Sequence, residues 1–559
     1  MNSSHVKGLS ARAPQYNQDG TLVVVTKPSL KEEAYFGDSY SLELNAAYTQ
    51  TFAEKHTIDA KAVFTVSENN GSYFWASRKD YLSATVDQLF AGSSIGMQNS
   101  GNSDEGGRMG LVGRLKYDFD SRYYIEGSFR YDGSDNFAPG HRWGFFPSVA
   151  LAWDITEEPF FKNLNLKNVN LLKLRGSYGQ TGTESGVNRF GYLSTYSLAE
   201  NAICIGGNLQ SGFNEGALVS PELLSWYTRN SLNYGIDVAF FNHRLKGSAD
   251  YFFYVTKGGL VSPADRYVVP LGTALPQIKS ENEHRREGFE ASLRWDDKIG
   301  SDFYYEVGTN MTYYNNLYVK NQGEALSDLK NPYKRSTHQT DYYGIMYMDN
   351  GLYQTPEQVL GVPRRLQSSA TKLGDIAYED INGDGKIDGE DQVRWGMPSA
   401  PHFTYGFDFV LGYKGFTLSG LLYGTGKRNM EFGVTTKKNE AIWVLNDYQL
   451  DYWREDNRDA TFPRISLEAL PNGSNNQAAS TFWVKNASFL RLKNLTLEYD
   501  FKYKLLRNVK WLSTCRANIT GANLFTISNV MDYFDPETTS TNGGYPVQRV
   551  YSLGVTIGF

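Results

Sequence analysis

The sequence predicts an all-β chain: a transmembrane antiparallel β-barrel, incomplete on its N-terminal side, with roughly fifteen strands of a larger barrel and long extracellular loops. Three observations predict it. Apolar and polar residues alternate with period two from end to end. Very short connections alternate with very long ones. The last residues form an amphipathic strand that ends on an aromatic, Phe559.

Composition agrees with this class. The 559 residues include 39 Tyr, 32 Phe and 54 Gly, against only 18 Pro and two Cys. Aromatics and glycine favour strands, tight turns and interfacial belts over helices. No run of roughly 18 apolar residues exists, so no helix is expected to cross a membrane. A mean hydropathy of -0.47 is compatible with a barrel, whose lumen and loops are polar. The net charge of -6, with no Lys/Arg cluster interleaved with aromatics, excludes a nucleic-acid surface. Cys204 and Cys515 are expected to be unpaired thiols.

The alternation places the strands in order. Candidates run near 40–52 and 57–67. Leu111, Gly113, Leu115, Tyr117 and Phe119 then share one face, against Val112, Arg114, Lys116 and Asp118. After the turn Asp120-Ser121, Tyr123, Ile125, Gly127, Phe129 and Tyr131 oppose Tyr124, Glu126, Ser128, Arg130 and Asp132. Full charges on one face and Tyr and Phe on the other suit a wet lumen inside and lipid outside. Further strands are predicted at 142–154, 170–180, 232–240, 245–253, 286–296 and 302–314. The rest fall at 403–413, 416–424, 485–500, 513–526 and 548–559. Lengths near ten suit a tilted strand crossing a bilayer. Lumen charges such as Arg114, Lys116, Glu126 and Arg130 are expected to pair with each other or with a plug.

Short turns are predicted at Ala53 to His56, Asp120-Ser121, Asn242 to Arg244, Asp297 to Ser301 and Lys414-Gly415. Long loops are predicted at 68–105, 183–225, 255–283, 316–400 and 427–482, with short helices at Lys79 to Ala91 and Thr355 to Val362. Short turns belong to the periplasmic rim and long loops to the outside. In the last strand Tyr551, Leu553, Val555, Ile557 and Phe559 alternate with small or polar residues, as a barrel-assembly signal would. A closed barrel pairs that strand with its first one.

Several segments together resemble one family, the SusC/RagA-like TonB-dependent outer-membrane transporters. Arg130-Tyr131-Asp132-Gly133-Ser134 with Trp143-Gly144-Phe145-Phe146-Pro147-Ser148 and Trp153 is one. Leu172 to Gly179 with Thr181-Gly182, and Asn233 to Asp237, are others; Gly288-Phe289-Glu290 matches in part, with Arg286 where Asn is common. The last third carries Gly374-Asp375-Ile376, Asp380 to Asp388, Phe403 to Gly406, Ala487 to Leu497, Asn523 to Thr526 and Asp535-Pro536-Glu537, in family order. The resemblance covers about residues 106–559. It implies a barrel of about 22 strands with a plugged lumen. It also implies a SusD-like lipoprotein lid, coupling to the TonB complex through the plug, and import of an oligosaccharide or peptide across the cell outer membrane. No stretch matches a plug or TonB box, and the opening MNSSHVKGLSARAPQ has no apolar signal core, so Met1 is expected not to be the natural start.

One loop has a ligand pattern. Asp380, Asn382, Asp384, Asp388 and Asp391 put oxygens at positions one, three, five, nine and twelve of a calcium loop, with Gly385 at position six and the Lys386 carbonyl at seven. Position twelve departs from the usual Glu. Ca2+ here would stiffen the 316–400 loop; the alternative is a metal-free, turn-rich loop. No organic cofactor is indicated. No catalytic constellation emerges: the seven His are scattered, and Gly92-Ser93-Ser94-Ile95-Gly96 lacks the strand-turn-helix setting of a nucleophile elbow, so the chain is not expected to be an enzyme. Loop aromatics, chiefly Tyr342, Tyr343, Trp443 and Trp453, are candidates for stacking on a sugar ring, or for packing the loops on each other or on a lid. The rival readings are a passive pore or surface-interaction barrel, a non-functional fragment, and a soluble calcium-binding β-protein.

Overall fold

The computed structural model describes residues 2–10, 15–16, 22–24, 27–83, 85–215, 224–261, 278–361, 364–365, 371–431, 450–465, 475–530, 534–538 and 547–559. Its main feature is an 18-stranded sheet. Sixteen long strands form the wall, since two of the eighteen, Gln339–Thr340 and Thr526–Ser528, are short strips beside longer neighbours. They are β1 (Asn2–Ser10), β2 (Ser29–Phe52), β3 (His56–Arg78), β4 (Gln98–Phe119), β5 (Tyr123–Ser134) and β6 (Trp143–Asp154). Next come β7 (Val169–Thr183), β8 (Tyr227–Phe240), β9 (Leu245–Lys257), β10 (Glu283–Ile299) and β11 (Phe303–Lys320). The wall ends with β12 (Phe403–Tyr413), β13 (Phe416–Gly426), β14 (Phe489–Asp500), β15 (Thr514–Ala522) and β16 (Val550–Gly558). Each pairs antiparallel with the next in chain order. This is the meander that short turns permit. Among the described residues no ladder joins β16 to β1, so the wall is open there.

Register follows the alternation. Leu111 faces Tyr131, Leu115 faces Gly127 and Tyr117 faces Ile125, while Lys116 faces Glu126 on the other side. A one-residue slip would exchange the faces. The apolar face is left uncovered: Leu44 is 58% exposed, Leu115 55%, Leu553 84% and Val555 69%. Such a surface fits lipid and would be untenable in water at this extent.

The turns close as expected. Asp120 and Ser121 both take positive φ (53° and 56°), as do Lys414 (48°) and Gly415 (85°). That is the two-residue turn whose twist matches the flanking strands. Asp118 steadies the first by accepting the Ser121 amide at 2.8 Å.

The strands outrun the sequence-based bounds. β2 and β3 have 24 and 23 residues, and β4 begins at Gln98, so the loop expected at 68–105 shrinks to 79–97. A bilayer needs only about 9–11 residues of tilted strand. The remainder projects on the long-loop side, where neither face meets lipid and the alternation fades. Tyr35 stacks on Tyr73 there, ring centres 4.6 Å apart, and the Tyr73 hydroxyl donates to Glu33 at 2.7 Å. The helix expected at Lys79 to Ala91 is only a short 3-10 turn at Leu89–Ala91, held by buried Tyr81, whose hydroxyl donates to the Gln88 carbonyl. The helix near 355–362 is present as Pro356–Gly361.

Among the described residues the largest buried cluster lies in the long loops rather than the wall. Ile376, Tyr378, Ile387, Phe462 and Trp483 pack together, with Tyr347, Leu352 and Tyr452 around them. The β11–β12 and β13–β14 connections thus share one core.

Candidate functional site

The strand face opposite the apolar surface carries charge, and neighbouring strands bring opposite charges into register. Arg114 meets Glu126 at 3.0 Å and Asp59 at 3.5 Å. Arg175 donates twice to Asp237, at 2.8 Å each, and twice to Asp250, at 3.0 Å. Arg294 pairs with Glu306 and, at 3.1 Å, with Asp408. These half-exposed pairs contribute little each to stability, and each sets one arginine against two carboxylates, which keeps the inner face polar with an excess of negative charge. Arg130 is held by Asp132 at 2.9 Å, while Lys116 lies over the Tyr124 ring at 5.7 Å.

Toward the long-loop end this face hollows into a cavity of about 740 Å³. Its wall includes Ser67, Arg108, Arg130, Asp132, Thr181 and Glu184, mixed donors and acceptors that could bind hydroxyls or amides. Glu184 is buried at its edge, pairs with Arg108 and accepts from Asn136 Nδ2 at 3.0 Å.

Above the strand ends, the loop aromatics are engaged within the loops, two of them across the β11–β12 and β13–β14 connections. The Tyr342 ring lies under the Arg394 guanidinium at 4.1 Å. Tyr343 accepts the Glu431 amide on its hydroxyl at 3.0 Å, and burial pushes its phenol pKa up. Trp453 is 7% exposed; its ring covers Gly374 so closely that no Cβ would fit there, and its Nε1 donates to Gln354 at 2.9 Å. Trp443 lies outside the described residues. Nearby, Asp375 is 2% exposed and accepts from Arg464 Nη2 at 3.2 Å and Asn476 Nδ2 at 2.8 Å, which ties the two long loops together. Asp451, at the rim, sits below the usual carboxylate range because Asn457 and Thr461 donate to it.

The calcium-like loop is a chain of carboxylate-to-amide bonds. Asp380 accepts from the Gly383 and Gly385 amides (2.7 and 2.9 Å), Asn382 from Asp384, Asp384 from Lys386, and Asp388 from Glu390 (2.9 Å each). Gly383 and Gly385 take positive φ, 72° and 80°, which lets the loop curl around the Asp380 carboxylate. Asp391 differs: it is fully buried and accepts from Ile381, Asn382 and Asp388, so position twelve closes the loop from inside. Among the described residues no three His, Cys, Asp or Glu side chains converge as a metal cluster. The donor chemistry of Asp380, Asn382, Asp384, Asp388 and the Lys386 carbonyl suits a hard cation, whereas Asp391 is already committed.

Other groupings were invisible in the sequence. Asp341 takes hydrogen bonds from Asn316 at 2.6 Å and from His402, 61 residues away. Burial opposes its ionisation, but these two donors outweigh that and hold its carboxyl below the ordinary range. Arg229 and Arg286 both lean on Tyr254. Strand register brings the second group together, and the fold of the β11–β12 connection the first. Cys204 and Cys515 are free.

Comparison with known proteins places this geometry. Residues 7–524 match the family described as "TonB dependent receptor-like, beta-barrel". The TonB-dependent receptor P3 of Formosa agariphila is 26% identical over 521 residues, covering 88% of this chain and 49% of that protein. SusC of Bacteroides thetaiotaomicron, also a TonB-dependent receptor, is 28% identical over 465 residues, covering 80% of this chain and 43% of SusC. The chain thus spans about half the length of the curated relatives it matches. Among solved structures, the RagAB peptide importer in its open-open state superposes with a TM-score of 0.77 at 21% identity, over all of this chain and 58% of the other. With a lipid-compatible outer face, a charged inner face and this match, the chain belongs to the TonB-dependent receptor β-barrel family of the outer membrane and resembles its SusC/RagA-like members.

Proposed function

We propose that this chain is the barrel wall of a TonB-driven importer that takes up an oligosaccharide or peptide across the outer membrane, with a SusD-like lipoprotein as its lid. The observation that carries this reading is the polar cavity of about 740 Å³ at the long-loop end of a charged inner face, within a family match spanning residues 7–524. A hydroxyl- or amide-rich solute would exchange its water shell there for Arg130, Asp132 and Thr181. Tyr342, Tyr343 and Trp453 would meet such a ligand as the loops open, because their rings now serve loop packing. In this reading the chain moves its ligand without transforming it.

The test is uptake of fluorescent oligosaccharides and peptides by cells with and without the gene, each with and without TonB. Uptake lost in both deletions supports the importer. Uptake that persists without TonB would make the protein a passive pore.

We further propose that the 380–391 loop takes one Ca2+, held by Asp380, Asn382, Asp384, Asp388 and the Lys386 carbonyl. The ion would stiffen the β11–β12 connection.

A further inference from the structure

The lumen-facing arginines of the strands divide into two groups. Arg108, Arg114, Arg130, Arg175, Arg294 and Arg516 each have a carboxylate within 4 Å. Arg229 on β8 and Arg286 on β10 have none among the described residues. Their facing follows from the alternation: Tyr234, Tyr251 and Phe289 are 56%, 47% and 41% exposed on the outer surface, and Arg229, Tyr254 and Arg286 occupy the opposite phase.

Register explains the meeting. Tyr254 of β9 stands directly across from Arg286, and Thr256 across from Arg229. The Arg229 guanidinium lies 5.2 Å from the Tyr254 ring centre and that of Arg286 5.8 Å from the same ring; Arg286 also lies 4.6 Å from the Tyr314 ring. Two like charges on one ring repel, and the aromatic faces offset only part of that. Among the described residues each arginine hydrogen-bonds only through its Nε, Arg229 to Thr256 Oγ1 at 3.3 Å and Arg286 to the Asn316 side-chain Oδ1. The terminal nitrogens of both make no bond to a described residue. The nearby carboxylate, Asp341, makes no ion pair with either: Asn316 stands between it and Arg286 and donates to its Oδ2, and the ring of His402 lies against it at 3.0 Å. Two guanidinium forks flanked by aromatic faces, near the long-loop ends of their strands, form a receptor for a planar anion.

We propose that Arg229 and Arg286 bind the carboxylate of an acidic solute passing through the lumen, an acidic sugar or an acidic peptide residue, with Tyr254 and Tyr314 against its apolar face. This rests on the importer reading and adds a charge preference to it.

The experiment uses the full-length protein, purified in detergent. Calorimetric titration compares tetragalacturonate and tetraglutamate with their neutral methyl-ester and amide forms, for the native protein and for R229Q, R286Q and the double variant. The proposal expects at least one acidic probe to bind the native protein, its affinity to fall at least tenfold in the double variant, and its neutral form to bind equally to both. Which acid binds separates sugar from peptide. If neither acid binds, or if the double variant binds as the native protein does, the proposal is overturned, while TonB-dependent uptake of neutral solutes would leave the importer standing. If the variants instead lower the melting temperature by several degrees and no acid binds the native protein, the arginines hold another part of the protein, which also overturns it.

Discussion

Arg491 of β14, 1% exposed, donates from Nη2 to Asp535 at 2.7 Å and so ties the barrel wall to the β15–β16 connection. Glu537 accepts from Arg491 Nη1 at 2.5 Å and from Lys493 at 2.6 Å, and Thr526 accepts from Arg491 Nε at 2.8 Å. With the guanidinium gone, two carboxylates would be left facing each other with one lysine between them. Arg491→Ala should therefore destabilise the folded barrel by about 3–5 kcal/mol, the usual cost of breaking a buried pair. Urea unfolding in liposomes measures this. A loss below about 1 kcal/mol would show the pair to be dispensable.

A second anchor is set by pH. Glu324 accepts the Ser336 and Thr337 amides and the Thr337 hydroxyl, pinning the first turn of the β11–β12 connection. Burial raises its pKa, yet these donors prevail and hold it below the ordinary value. The folded pKa lies below the unfolded one of about 4.3, so the stabilisation is full above that value. It is lost as pH falls through the folded pKa. Amide exchange at Ser336 and Thr337, corrected for intrinsic rate, should rise on acidification from pH 5 to 3. Glu324→Gln should exchange fast throughout and show no such rise; a native-like acid profile in that variant would assign the effect elsewhere.

How far the sequence led depends on where lipid lies. Leu111 to Phe119 was legible because lipid and lumen demand opposite chemistry at successive residues, and its partner Tyr123 to Tyr131 followed with the correct turn. Gln98 to Arg108 was not, because both faces of that stretch lie beyond the bilayer and are polar. β1 was missed for the same reason: Asn2 to Ser10 alternates weakly. The sites were harder still. Asp375 and Asn476 are 101 residues apart and meet only when two loops fold on each other. Arg286 stood out in the sequence only as a departure from a motif; its relation to Tyr254 and Arg229 is a fact of register.

The 380–391 loop makes a two-part prediction. A Ca2+ titration of the folded protein should give one site, abolished by Asp380→Ala or Asp384→Ala. Absence of binding to the native protein would remove the metal and leave an Asx-turn loop. Asp391→Ala should act differently, because its buried carboxylate satisfies three amides, of Ile381, Asn382 and Asp388, whether or not a cation is present. Each donor left buried without a partner costs about 1–3 kcal/mol. That variant should open the loop to proteolysis with or without chelator.

Trp453 separates support from recognition. Its ring fills the space over Gly374, and Gly374 at φ 79° is one of the few residues that could hold that backbone with an indole on top. Trp453→Ala should leave a cavity in the loop cluster and cost it about 3–5 kcal/mol, as large-to-small changes of this size do. Gly374→Ala should be comparably damaging, through both clash and strain. If Trp453 acts only as a brace, the two variants will weaken ligand binding in parallel with loop stability, and the W453F variant will restore both. A tryptophan that also stacks on ligand will break that parallel: G374A and W453F would keep or regain stability at different rates from affinity, and W453F would recover the fold without recovering binding. Paired measurements of loop proteolysis and ligand titration on the three variants decide between these outcomes.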